Sequence, residues 1–150
     1  MRRKKNYIEF DDDNGVTRRY YRHPNGGGLV EASATVDPEA YVSPNAYIDP
    51  GARVHARAVI GAGAWIDRDA QIGPGARIGD RAHVGASAIV SPRAVIGKRA
   101  TIGAQARIGE RVEVIADDVV PEGFTIEVQD GDNPARSVRQ RVGADASRAA

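Results

Sequence analysis

From Ala34 to Ile126 the hydrophobic positions recur every six residues. Stepping by six from Val36 meets Val42, Ile48, Val54, Ile60 and so on to Ile126, and every position reached is Val or Ile. Two places earlier stands alanine, from Ala34 through Ala106, until Val112, Asp118 and Phe124 replace it. A period of six suits neither an amphipathic helix nor a hairpin sheet, so the internal repeat decides the architecture. Residues two apart in an extended segment point to the same side, which makes each alanine and its aliphatic partner an inward pair. Turn formers follow, either glycine directly after the aliphatic (Gly61, Gly73, Gly79, Gly97) or proline one place later (Pro38, Pro44, Pro50, Pro92). Each unit therefore predicts one very short strand and a turn. Three units, 18 residues, close a triangular coil, and about five coils stack as parallel sheets.

The flanks read differently. Tyr7–Phe10 and Val16–Tyr21 are β-prone and Asp13-Asn14-Gly15 lies between them, which predicts a β-hairpin. His23-Pro24-Asn25 leads into Gly26, Gly27 and Gly28, read here as a flexible hinge. Past Val112 the repeat loosens into an end cap, as an open stack must cover its last unpaired strands. From Asp132 to Arg139 a short helix is predicted, with Asn133 as N-cap and Pro134 at the first helical position. The expected division is an N-terminal arm over 1–31, a β-helix over 32–128, and a short helix with a tail over 129–150.

The repeat resembles that of the hexapeptide-repeat superfamily. The tail is similar to the closing signature of its acyltransferases and γ-class carbonic anhydrases: Val120, Pro121, Gly123, Pro134, Ala135 and Arg136 match, and Asp132 stands where the signature has glycine. The resemblance implies an all-β fold, a left-handed parallel β-helix, assembled as a homotrimer of parallel prisms. It also implies a histidine general base in the cleft between two prisms, beside a loop thrown out of a coil. Here the frame never breaks, so such a loop is not expected.

Residues 18 apart should stack, which sorts the outward side chains into three faces. The first carries Thr35, Arg53, Gln71, Ile89, Arg107 and Thr125; the second Tyr41, Val59, Arg77, Val95 and Glu113; the third Tyr47, Trp65, His83, Thr101 and Val119. Aligned exposed apolar residues mark interfaces, so Tyr41, Tyr47, Val59, Trp65 and Val95 are the expected subunit contacts.

Composition narrows the chemistry. With 21 Lys and Arg against 20 Asp and Glu, no global field points to nucleic acid or an anionic membrane. No cysteine is present, which removes disulfides, thiolate metal sites and a cysteine nucleophile. The basic start at Arg2–Lys5 is not followed by an apolar run, so neither a signal peptide nor a membrane span is read, and a cytoplasmic protein, or one within a virion or larger assembly, is expected. Of the three histidines, His83 is the best catalytic candidate, since it projects outward and Asp67 on the neighbouring coil could orient its ring. His55 lies at a corner and His23 before the hinge. A γ-carbonic anhydrase would need three zinc-binding histidines with one close pair, and no such pair exists, so no metal site is expected.

Two functions follow. The one favoured by the unbroken repeat is a rigid trimeric structural or assembly module, needing no cofactor and tethered to a protein partner through residues 1–31 or the C-terminal tail. The alternative is an O- or N-acyltransferase using acetyl-CoA or another acyl-CoA, with His83 as base. The sequence alone leaves open whether the protein is an enzyme.

Overall fold

The computed structural model of the chain describes residues 7–128 and 138–141. They form an all-β solenoid of about five turns, built mainly from two-residue strands such as Trp65–Ile66 and His83–Val84. The register follows the 18-residue step. On the third face Tyr47 pairs with Trp65, Trp65 with His83, His83 with Thr101 and Thr101 with Val119, all in parallel. The first face runs Thr35, Arg53, Gln71, Ile89, Arg107, Thr125, and the second runs Tyr41, Val59, Arg77, Val95, Glu113. All three predicted columns stand as expected.

The inward pairs make the core. Every alanine at the six-residue steps from Ala40 to Ala106 is fully buried, and the aliphatics two places after them, from Val42 to Ile108, are at most 2% exposed. Val and Ile suit this position because β-branched side chains pack well on a pleated surface, while alanine lets the corners close without crowding the axis. Each corner is a β-turn closed by a bond from the alanine N–H to the carbonyl three residues back, as in Ala76 N to Gly73 O at 3.2 Å and Ala94 N to Ser91 O at 3.2 Å. From Asn45 on, the residue before each alanine position has positive φ, whether glycine (Gly63, Gly75) or not (Arg57, Arg93, Gln105). Where Pro44, Pro50, Pro74 and Pro92 precede it, the fixed φ of proline meets what the second turn position requires.

The first coil is capped twice. Strands β1 (Tyr7–Asp11) and β2 (Thr17–Arg22) form the predicted hairpin, and β2 pairs antiparallel with β3 (Leu29–Glu31), which pairs in parallel with Tyr47–Ile48. The hairpin thus extends the third face. The segment His23–Gly28, expected as a flexible hinge, instead closes the edge of the second face. Val42 N donates to Asn25 O at 3.0 Å and Gly28 N donates to Val42 O at 2.9 Å. His23 is buried, and its Nε2 lies 2.9 Å from Ala40 O. Glycine is required here by close approach, since a Cβ on Gly26 or Gly28 would collide with Val42.

At the far end the first face continues into Thr125–Val128, which pairs antiparallel with Val138–Arg141. The third face ends at Val119–Val120. In the coil below, Thr101 N and Gly103 N donate upward to Asp118 O and Val120 O. One turn on, Val119 N is taken by its neighbour Asp118 Oδ1 at 3.0 Å, and Pro121 has no N–H to offer. This last rung therefore presents little to a further strand. The stretch read as a helix from Asp132 lies outside the described residues up to 137, and Val138 and Arg139 are in strand.

Two substitutions test the corners. A Cβ at Gly79 would sit 2.6 Å from Gly97 C and Lys98 N, so Gly79→Ala should force the coils apart at a cost of about 1–3 kcal/mol. At Gln105, exposed with φ 63°, Gln105→Val should cost about 1–3 kcal/mol through backbone strain while Gln105→Gly is tolerated. Denaturant midpoints of the purified variants check both; a Val variant as stable as the Gly variant would contradict the strain argument.

Candidate active site

The third face brings the candidate residues together because of how two periodicities meet there. Parallel stacking puts Trp65 against His83, and the two-residue period of the strand puts Asp67 on the same side as Trp65. His83 is thus met by an aromatic face and a carboxylate from one coil. The indole and imidazole rings stack with centroids 4.0 Å apart and planes 13° from parallel. His83 Nε2 lies 3.1 Å from Asp67 Oδ2. With the proton on Nε2 the ring donates to Asp67, which fixes the tautomer and leaves the Nδ1 lone pair free to accept a proton. The His83 side chain is 31% exposed, so a solute can reach it. Gly85 replaces the aspartate in the coil that follows, and the next outward residue is Thr101, so the ring is flanked there by a small side chain.

The same relation occurs one coil earlier. Trp65 Nε1 donates to Asp49 Oδ2 at 2.6 Å. The other carboxylate oxygen, Asp49 Oδ1, accepts from the Tyr20 hydroxyl at 2.7 Å. Tyr20 comes from β2 and is 8% exposed, so the hairpin is bonded directly into the column that ends at His83. Burial first, then the Asp49 hydrogen bond and charge, push the Tyr20 phenol well above its ordinary range. Phe10 and Tyr20 of the hairpin and Tyr47 of the solenoid meet at near right angles with centroids 5.4 to 6.3 Å apart. Between hairpin and solenoid lies a cleft of about 460 Å³, lined by these three rings, Trp65, Asp49, Asp11 at the end of β1, Asp12 just beyond it, and Arg18.

Of the residues singled out from sequence, His83 and Asp67 are brought together. Tyr47 and Trp65, expected as subunit contacts, line the cleft beside the hairpin, while Tyr41, Val59 and Val95 stand on the second face. His55 is exposed at a corner and His23 is part of the cap; neither is near His83 in the hydrogen-bond network. Among the described residues no three His, Cys, Asp or Glu side chains cluster as metal ligands, and no helix is long and apolar enough to cross a membrane. The spacing that paired Asp67 with His83 also pairs Asp49 with Trp65, so Asp49 was findable. Tyr20 was not, because an antiparallel return sets its place.

A profile for the bacterial transferase hexapeptide (six repeats) matches residues 57–92 and 76–110. No curated protein matches the chain. Among solved structures, a variant of perosamine N-acetyltransferase from Caulobacter crescentus, in complex with CoA and GDP-perosamine, is similar at 20% identity and TM-score 0.50, over 75% of this chain and 55% of that one. Serine acetyltransferase 1 from Entamoeba histolytica, in complex with L-cysteine, is similar at 22% identity and TM-score 0.51, over 59% of this chain and 38% of that one. The serine acetyltransferase of Neisseria gonorrhoeae matches at 24% identity and TM-score 0.50, over 71% and 42%. The chain thus spans little more than half of these proteins at most, and at such identities the likeness is one of fold. Residues 57–110 thus carry the hexapeptide repeats that the profile describes, and the solenoid is the fold that such repeats build.

The raised Tyr20 pKa has a sign that can be checked. Because the folded state holds the phenol neutral, this contribution to hairpin docking is complete below the ordinary tyrosine range near 10.0 and is lost as pH rises through the elevated folded value. Alkaline titration of tyrosinate absorbance should show a late phase that Tyr20→Phe removes, accompanied in the wild type by a change in Trp65 emission. A wild-type titration without that phase would contradict the Tyr20–Asp49 bond.

Proposed function

We propose that the protein is an acyl-CoA-dependent acyltransferase, transferring an acyl group to an amine or hydroxyl, with His83 as general base and Asp67 as its positioning residue. The observation that carries this reading is the Asp67–His83 pair, which holds an imidazole on an accessible face with one nitrogen committed and the other free. The superfamily supports it, since the perosamine N-acetyltransferase of like fold is in complex with CoA. A purely structural prism remains the reading that the unbroken repeat favours. The pair and the transferase relatives weigh more heavily for an enzyme, because a surface prism has no need of an oriented histidine.

In the proposed step the acceptor N–H or O–H gives its proton to His83 Nδ1 as its heteroatom attacks the thioester carbonyl. The tetrahedral intermediate then collapses, the C–S bond breaks, and the departing thiolate of CoA takes the proton back from the imidazolium. Asp67 keeps Nε2 protonated and steadies the imidazolium between the two proton transfers. The site is completed between copies of the chain, with Tyr41, Val59 and Val95 of the second face covered by a neighbour in a homotrimer.

With an acyl-CoA and a panel of amine and hydroxyl acceptors, release of free CoA thiol measures turnover. His83→Gln should lower kcat about 10²–10⁴-fold with little change in stability. Asp67→Asn should lower it less and alter its pH profile. An acyl-CoA that produces no thermal shift and no thiol release, or a His83→Gln variant as active as wild type, would refute the reading. Sedimentation velocity tests the assembly: a trimer is expected, and Val59→Asp combined with Val95→Asp should give monomers.

A further inference from the structure

We infer that the cleft between the hairpin and the third face is a binding site for a small organic cation bearing an ammonium group. Its volume of about 460 Å³ falls in the range of ligand pockets. Four aromatic rings line it: Phe10 and Tyr20 from the hairpin, Tyr47 and Trp65 from the solenoid. The first three pack edge to face on one another, at 75° to 89° with centroids 5.4 to 6.3 Å apart, so they form one continuous aromatic wall beside Trp65 and Asp49. Electron-rich ring faces attract ammonium groups, and more strongly where water is displaced.

The charges point the same way. Asp12 is occupied: Arg18 Nε lies 3.2 Å and an Arg68 terminal nitrogen 3.7 Å from its Oδ2, and its Oδ1 takes the backbone N–H groups of Asn14 and Val16. Asp49 differs. Its oxygens are met by the neutral donors Tyr20 Oη and Trp65 Nε1, and among the described residues no Lys, Arg or His lies within ion-pair distance. Asp11, at the rim, accepts only the Thr17 hydroxyl. The two nearby arginines thus pair with Asp12, Arg18 also reaching Glu31, and the cleft holds a half-buried carboxylate that has no cation partner among the described residues. A carboxylate oxygen has lone pairs for more than one donor, so Asp49 can hold its two neutral partners and still face an ammonium. A neutral or anionic ligand would leave that charge uncompensated. This inference is independent of acyl transfer and is tested without any acyl donor.

Trp65 is the only tryptophan of the chain, so its emission reports on the cleft directly. Choline serves as the probe, and its neutral isostere, with a tert-butyl group in place of the trimethylammonium, as the control, both against the full chain at constant ionic strength. Choline should change the emission saturably, and calorimetry should return the same Kd. The isostere should bind at least about tenfold more weakly, the equivalent of roughly 1.4 kcal/mol. Asp49→Asn should weaken choline by a similar factor. Phe10→Leu, which leaves the Asp49–Trp65 bond in place, should weaken it as well and covers the case in which Asp49→Asn disturbs the indole. Equal binding of choline and its isostere, no binding of either in the millimolar range, or choline affinity unchanged in Phe10→Leu would each overturn the inference.

Discussion

The structure depends on one constraint: each six-residue unit must place an alanine and a β-branched aliphatic inward and then turn the chain within the few residues left. Alanine and aliphatic fill the axis, and a larger fully buried residue, Val112, takes the alanine position only where the repeat begins to loosen. The turn is met by positive φ at the residue before alanine, adopted by glycine where it is present and by Arg57, Arg93 or Gln105 where it is not. Such strain costs on the order of 1 kcal/mol per residue, and it is tolerated because the hydrogen bonds between coils and the buried inward pairs determine the turn from both sides. Register follows directly. Once residues 18 apart are stacked, the outward side chains have no freedom of placement and become columns.

Regular columns leave two ends where backbone groups lack partners, and the chain answers each by different means. At the first coil a hairpin and a glycine turn supply antiparallel and backbone partners; at the last, Asp118 and Pro121 neutralise the donors of Val119–Val120. The N-terminal solution has a consequence for chemistry. Because the hairpin joins the third face rather than another, its Tyr20 reaches Asp49, and Asp49 holds the indole that stacks on His83. One element closes an edge and walls a cleft.

Most of the fold was legible in the sequence, because a period of six with inward residues two apart sets the strands, the corners and the 18-residue register, while the hand of the coil was implied only by the resemblance. The Asp67–His83 pair was legible for the same reason, being fixed by stacking and by the two-residue strand period. What the sequence obscured lay where local rules and packing disagree. Gly26, Gly27 and Gly28 signal freedom by composition, yet two of the three are there because Val42 leaves no room for a Cβ. Tyr47 and Trp65 signalled an interface by being apolar and aligned; within one chain they also line the cleft beside the hairpin, while staying exposed. Tyr20 had no periodic address at all. The register of β2 on β3 places it, and such antiparallel returns are set by long-range pairing.

The uninterrupted repeat itself takes on a different meaning once the hairpin is in place. A perfect solenoid has flat faces, and a flat face can neither desolvate a ligand nor hold it on several sides, which is why an unbroken frame suggests a scaffold. That argument assumes that the only source of a wall is a loop inserted between coils. Here the wall comes from outside the frame: Phe10 and Tyr20 stand over Tyr47 and Trp65 without displacing one residue of the repeat. Regularity and a built site are then compatible. The coils provide columns rigid enough to hold Asp67 against His83, and the irregular element, free of the repeat's sequence requirements, provides the concavity that the columns cannot.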